Sequence, residues 1–144
     1  MEIRYTNNIT AITADMLDGG FFAGWPSHPD VNTHLRLLQN SYLAYVAIDA
    51  VAGKVVGFIN AISDGVLSAY IPLLEVLPAF QGRGIGAELV KHTLADLSHL
   101  YMVDIACDED KALFYEKCGA IIHGRACIYR NYDAQMGDSG SSPE

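Results

Sequence analysis

Leu77-Pro78-Ala79-Phe80-Gln81-Gly82-Arg83-Gly84-Ile85-Gly86-Ala87-Glu88-Leu89-Val90 carries the most specific pattern in this chain. Before it, Val66 to Leu77 is a long, almost wholly apolar run, as expected of a central strand covered on both faces. After it the period becomes helical from Gly84 to about His99, with Ile85, Leu89, Val90, Leu94 and Leu97 on one side. Gln81–Ala87 is therefore a strand-to-helix turn. The first turn of a helix has backbone N–H groups without intrahelical partners and a partial positive charge, so it attracts anions. Glycines at 82, 84 and 86 remove the β-carbons that would keep a phosphate away, and Arg83 adds a charged donor. Glycine-rich turns of this kind also serve tight packing alone, and at this level that alternative stays open.

Two nucleotide motifs compete for the turn. A P-loop ends in Gly-Lys-Ser/Thr, whereas this turn ends Gly86-Ala87-Glu88, which excludes it. The dinucleotide pattern is met by Gly82, Gly84 and Ala87, with Asp104 about 20 residues on. That pattern follows the first strand of its fold and needs further βαβ units, and here antiparallel strands come first.

Outward from the turn, Glu2 to Thr6 reads as a first strand, and Ala11 to Leu17 as a short helix ended by Gly19-Gly20. Phe21-Phe22-Ala23-Gly24-Trp25-Pro26 is an aromatic loop. Ser27 or Asp30 caps a second helix running to about Asn40, with Val31, Leu35 and Leu38 on one face. Tyr42–Ile48 and Lys54–Ile62 are strands joined by a turn, and Ser63-Asp64-Gly65 starts the next hairpin. Pro72 in the central strand cannot donate to a ladder, so a bulge or a missing pair is expected nearby. Tyr101–Ala106 is a second buried strand, and Asp108 caps a helix through Lys117 that Gly119 ends. Strands at about Ala120–Ile122 and Ala126–Asn131 complete the order. The expected fold is α/β (α+β): a mixed, mostly antiparallel sheet of six to seven strands with one parallel β-α-β crossover and about four helices. Residues 1–133 are expected to form one domain, and 134–144, small and polar, a flexible tail.

Composition narrows the function. Hydrophobic residues at 51% and charged ones at 18% exclude a disordered or fibrous chain. A net charge of −8 argues against nucleic acid and is permissive for a cationic amine. No apolar run approaches a membrane span, and Met1-Glu2-Ile3-Arg4-Tyr5 lacks the layout of a signal peptide, so a soluble cytoplasmic protein is expected. Cys107, Cys118 and Cys127 form no C-x-x-C pair and the histidines have no i, i+4 spacing, so no metal is expected.

The chain resembles the GCN5-related N-acetyltransferase (GNAT) superfamily. Gln81, Gly84 and Gly86 match its Gln/Arg-x-x-Gly-x-Gly/Ala signature, and Ala112-Leu113-Phe114-Tyr115-Glu116-Lys117-Cys118-Gly119-Ala120 is similar to its A-x-x-F-Y-x-x-x-G-F segment. The resemblance covers Glu2 to about Tyr132. It implies acetyl-CoA (coenzyme A) as cofactor, with the pyrophosphate on the N–H groups of Gln81–Ala87. The pantetheine arm would run beside Glu75-Val76-Leu77, with Phe114, Tyr115 and Lys117 also facing the cofactor. Tyr115 matches a phenol placed to protonate the CoA sulfur, while an aromatic in this position also packs a helix on a sheet.

Acetyl transfer needs a neutral amine, so a base must take its proton. Glu75 is the candidate general base, a carboxylate in an apolar run where desolvation raises the pKa. The alternative is a wet edge of the cleft. Asp104 is the second choice, and His28 and His123 read as surface histidines. Phe22 and Trp25 of the aromatic loop, with Tyr70 and Tyr129, are candidates to line the acceptor pocket, or else they cover the sheet. The family's pantetheine-contacting Asn has no match in Cys107-Asp108-Glu109-Asp110-Lys111. The expected function is acetylation of a primary amine on a small molecule. One alternative is acetylation of a protein α-amine or lysine, for which Arg130-Asn131-Tyr132 gives slight support. Another is a non-catalytic acyl-CoA-binding module. The resemblance also admits a homodimer.

Overall fold

The computed structural model describes residues 2–124 and 126–134; most of the tail expected at 134–144 lies outside them. Seven strands form one mixed sheet in the order β1-β2-β3-β4-β5-β7-β6. They are β1 (Ile3–Thr6), β2 (Leu43–Asp49), β3 (Lys54–Ser63), β4 (Ser68–Val76), β5 (Met102–Ala106), β6 (Ile121–His123) and β7 (Ala126–Arg130). The α-helices are α1 (Val31–Asn40), α2 (Ile85–Asp96) and α3 (Ala112–Lys117). β4 and β5 pair in parallel, which is the expected crossover. Contacts group the described residues into two compact units, 2–60 with 73–93 and 61–72 with 94–134.

In the first unit, β2 and β3 are buried on both faces, which accounts for their unbroken runs of Val, Ile, Ala and Phe. The Asp49 carboxylate accepts from Val51 and Ala52 N–H at 3.0 and 3.3 Å and shapes the turn between them. Asp30, not Ser27, caps α1 by accepting the Thr33 N–H at 2.8 Å. The buried positions of α1 are His34 and Leu38, so the apolar face read from Val31, Leu35 and Leu38 is shifted toward a histidine. Residues 11–17 are not one helix. They form two 3₁₀ turns, Ile9–Ala11 and Ala14–Leu17, because segments this short close i→i+3 bonds more readily than they nucleate an α-helix.

α2 lies close to the sheet because Gly57 has no side chain. A β-carbon at Gly57 would stand 3.2 Å from Leu89 Cδ1 and 3.3 Å from both Ile85 Cγ2 and the Glu75 carbonyl oxygen. Ile85 and Leu89 are buried residues of α2, so this strand glycine sets how near the start of that helix comes.

In the second unit, the Asp64 carboxylate accepts from Val66, Leu67 and Ser68 N–H, and these bonds hold it below the usual carboxylate range. Asp108 makes no side-chain cap. A 3₁₀ turn at Glu109–Lys111 intervenes, and α3 starts only at Ala112.

Replacing Gly57 by Ala is expected to lower stability by about 1 kcal/mol, because the opposing carbonyl belongs to a paired strand and cannot yield. A urea midpoint equal to that of the wild type would refute this.

Candidate active site

β4 ends where Leu77 donates its N–H to the Val56 carbonyl at 2.9 Å. Pro78 then starts a 3₁₀ turn to Phe80, a position where the missing proline N–H costs nothing. Gln81 Nε2 reaches back to the Val76 carbonyl at 2.9 Å and stitches the turn to the strand it leaves. Gly82 and Gly84 follow at φ +78° and +83°, in the left-handed region, with open space where each β-carbon would be. Their requirement is thus conformational, and it leaves clear room above the backbone. Glu88 N–H closes the first helical bond on the Gly84 carbonyl at 3.0 Å. The N–H groups of Ile85, Gly86 and Ala87 precede that bond, and a pyrophosphate could accept from them. The Arg83 guanidinium lies 5.4 Å from the Phe80 ring centroid. The residues present fit the phosphate end of coenzyme A.

One residue before Val76, the half-buried Glu75 accepts the backbone N–H of Phe22 on Oε1 at 2.6 Å. Desolvation raises this carboxyl above the usual range, and the Phe22 bond partly offsets the rise. Among the described residues Phe22 is the only non-glycine with positive φ, +65°. Its ring is 2% exposed. It lies 4.9 Å from His34, 5.0 Å from Trp25 and 5.8 Å from Phe58. Trp25 is 46% exposed. Phe22 is therefore part of the core, and Trp25 is the aromatic residue that the loop presents to solvent.

The β4–β5 ladder covers Ser68, Ala69 and Tyr70 against Met102, Val103 and Asp104, and ends two residues before Pro72. β4 itself runs unbroken through Pro72 to Val76. The missing pair expected near the proline is present as this early end, while β5 continues to pair with β7 as far as Ala106.

α3 carries Tyr115 on its buried side, 7% exposed, with the Phe114 ring 5.0 Å away. Gly119 at φ +94° ends the helix, and Ala120 N–H donates to the Tyr115 carbonyl at 3.0 Å. Burial, and then the neighbouring thiols of Cys107, Cys127 and Cys118, push the phenol's pKa well above its ordinary value. Burial raises Cys118 as well, and takes Cys127, whose sulfur is 3.0 Å from that of Cys107, up to about 12. Lys117 is exposed.

The sequence pattern of the acetyltransferase (GNAT) family matches residues 11–120. The chain belongs to that family. GCN5-related N-acetyltransferase 3, chloroplastic, of Arabidopsis thaliana is 42% identical over 69 residues, 46% of this chain and 29% of that protein. The match thus spans under a third of that relative. The crystal structure of an acetyltransferase from Deinococcus radiodurans R1 is 41% identical, covers 94% of this chain and 92% of its own, and superposes with a TM-score of 0.80. An aminoglycoside 6′-N-acetyltransferase complexed with coenzyme A shares the fold at 18% identity, covering 90% and 97% of the two chains, with a TM-score of 0.69. The mixed sheet with a parallel β4–β5 pair is the fold expected of that family.

For this family member the remaining candidates separate. Register puts Ala69, Val103 and Tyr129 on one face of the sheet and Tyr70, Asp104 and Ile128 on the other. Tyr70 and Tyr129 therefore do not line one pocket. Tyr129, with Leu97 and Val103, borders a hollow of about 250 Å³. The 44% exposed Tyr70 borders another of about 360 Å³ with Asp104 and Ile62. Asp104 is committed to an ion pair with Arg130 at 2.6 Å. Asn131 is bonded to the Tyr101 and Ser98 carbonyls, and Tyr132 packs on Tyr101, so Arg130-Asn131-Tyr132 is tied into its own unit. His28 and His123 are exposed, as expected.

His34 escaped the sequence reading, since one histidine inside an otherwise ordinary amphipathic helix gives no signal. It is 1% exposed, sits 4.3 Å from the Phe58 ring, and its Nε2 has no hydrogen-bond partner among the described residues. Burial lowers its pKa from 6.5 to about 4. The unfolded chain takes this proton first, so the stability that neutral His34 contributes is complete above pH 6.5 and lost as pH falls to 4. At about 1.4 kcal/mol per unit the loss is about 3 kcal/mol. Urea titrations of wild type and His34→Leu across that window isolate the effect: the variant should lack this part of the slope, and equal slopes would sink the assignment.

Proposed function

We propose that this protein transfers an acetyl group from acetyl-CoA directly to a primary amine of a small molecule. The observation that carries the reading is the open cradle at the start of α2, where left-handed Gly82 and Gly84, with open space where their β-carbons would be, lead into the first-turn N–H groups of residues 85–87. Acetyl-CoA supplies the activated acetyl thioester. The cradle holds its pyrophosphate, and Arg83 adds a positive charge. The backbone at Glu75 and Val76 of β4 and at Leu77 just after it, beyond the end of the β5 ladder, pairs with the pantetheine arm through groups other than the Leu77 N–H, which is bonded to Val56.

In this reading Glu75 first takes a proton from the ammonium form, a task its raised pKa suits. The lone pair so freed forms the C–N bond, and the second proton that nitrogen sheds as the amide forms replaces the one Tyr115 gives to sulfur. As the C–S bond breaks, Tyr115 gives its phenolic proton to the departing sulfur. Burial keeps this phenol protonated at neutral pH. The same burial raises the thiols beside it, so a thiolate released in such surroundings takes a proton more readily than in water. The net charge of −8 favours approach of a cationic amine. The loop at residues 21–25, tied to β4 through Phe22, favours a small acceptor over an extended peptide.

Thiol release from acetyl-CoA over a panel of polyamines, aminoglycosides, amino sugars and arylalkylamines tests the reading. Tyr115→Phe should lower kcat about 100-fold with acetyl-CoA binding intact. Binding without turnover for any amine, with Tyr115→Phe indistinguishable from wild type, would leave a non-catalytic acyl-CoA-binding module. Turnover on peptides alone would make the protein a peptide acetyltransferase. Separately, Gly84→Ala forces a β-carbon into the left-handed region at about 1–2 kcal/mol, and calorimetry should show acetyl-CoA affinity reduced about tenfold.

A further inference from the structure

We infer that Glu75 is a positioning residue for the acceptor loop: through the Phe22 N–H it latches the aromatic segment at residues 20–25 and so places Trp25. The inference rests on the reading of that loop as the acceptor side of the site. Three left-handed residues shape the segment, Gly20 at φ +101°, Phe22 at +65° and Gly24 at +89°. The two glycines adopt this conformation freely, and nothing lies within 4 Å of where their β-carbons would be. Phe22 does not, so something must hold it there. Its N–H is gripped by a carboxylate at 2.6 Å, a charge-assisted bond, and its ring is wedged against His34 and Phe58.

Trp25 depends on that residue twice. Its N–H donates to the Phe22 carbonyl at 3.2 Å and its ring lies 5.0 Å from the Phe22 ring. The next residue after Glu75 is Val76, whose carbonyl anchors Gln81 of the phosphate turn. Adjacent positions of β4 thus fasten the acceptor loop and the cofactor turn. A carboxylate serving only as a base would not need an oxygen committed to a backbone donor 53 residues away.

Trp25 is the only tryptophan in the chain, so its emission reports the loop directly. An amide oxygen can also accept the Phe22 N–H, so Glu75→Gln should keep the wild-type emission and the wild-type KM for the amine that the panel turns over fastest. Glu75→Ala should shift the emission to longer wavelength and raise that KM about tenfold, with the KM for acetyl-CoA within about twofold of wild type. The Phe22 amide should exchange slowly with solvent in wild type and Glu75→Gln, and fast in Glu75→Ala. Wild-type emission and amine KM in Glu75→Ala would overturn the latch. So would a Phe22 amide in the wild type that exchanges as fast as an open loop, a result that stands even if Glu75→Ala does not fold. A Glu75→Gln variant with wild-type kcat removes the general-base role and leaves the latch standing. If no amine turns over, emission and amide exchange still decide the latch while the acetyltransfer reading fails.

Discussion

The absence of a side chain at Gly57 governs how the rest of the first unit is arranged. Ile85 and Leu89 of α2 and the Glu75 carbonyl all crowd the point where a β-carbon would stand, so the helix start, β3 and the end of β4 meet around one missing atom. The consequence is chemical as well as steric. Ile85, in this contact, begins the first turn of α2 just after the glycine turn, and Gln81, bonded to the Val76 carbonyl, ties that glycine turn to the end of β4. A bulkier residue in β3 would move the cradle before it touched any ligand.

The elements legible in the sequence are those whose side-chain period has one dominant cause. β2 and β3 are apolar because both faces are covered, and α2 shows its 3.6-residue period because one side packs on the sheet. The misread segments are short and decided by local bonds. Residues 11–17 close 3₁₀ turns, and Asp108 leaves its cap unmade while its own carbonyl accepts Lys111 N–H at 2.9 Å. Face assignment across the sheet was out of reach for another reason. Tyr70 and Tyr129 fall on opposite sides by the parity of two ladders, and a register offset of one residue would reverse either. Phe22 is harder still, because a left-handed phenylalanine is chosen by its partners and not by its own propensity.

Burial is the common cause behind the shifted groups. It raises Tyr115, Tyr129, Cys118, Cys127 and Glu75, and lowers His34, in each case toward the uncharged form. Among the described residues the fully buried side chains include no Asp, Glu, Lys or Arg, while a net charge of −8 is carried by the chain as a whole. That division suits a reaction whose nucleophile must arrive as a cation and react as a neutral amine. Under the proposed function the surface field would gather the ammonium form, and a dry interior would disfavour keeping it.

Recognition of the phosphates by backbone, as proposed, would also limit how much sequence the cofactor site must specify. Only the residues that shape the main chain are constrained there: Gln81 by its bond to Val76, and Gly82 and Gly84 by their dihedral angles. Discrimination among acceptors has to come from side chains. Under the proposed function the candidates in the first unit are the side chains of the Phe21–Trp25 loop, where a strained backbone, a carboxylate and an aromatic cluster hold one exposed indole in place. A change of acceptor would then come from changes in this loop, with the glycine turn left as it is.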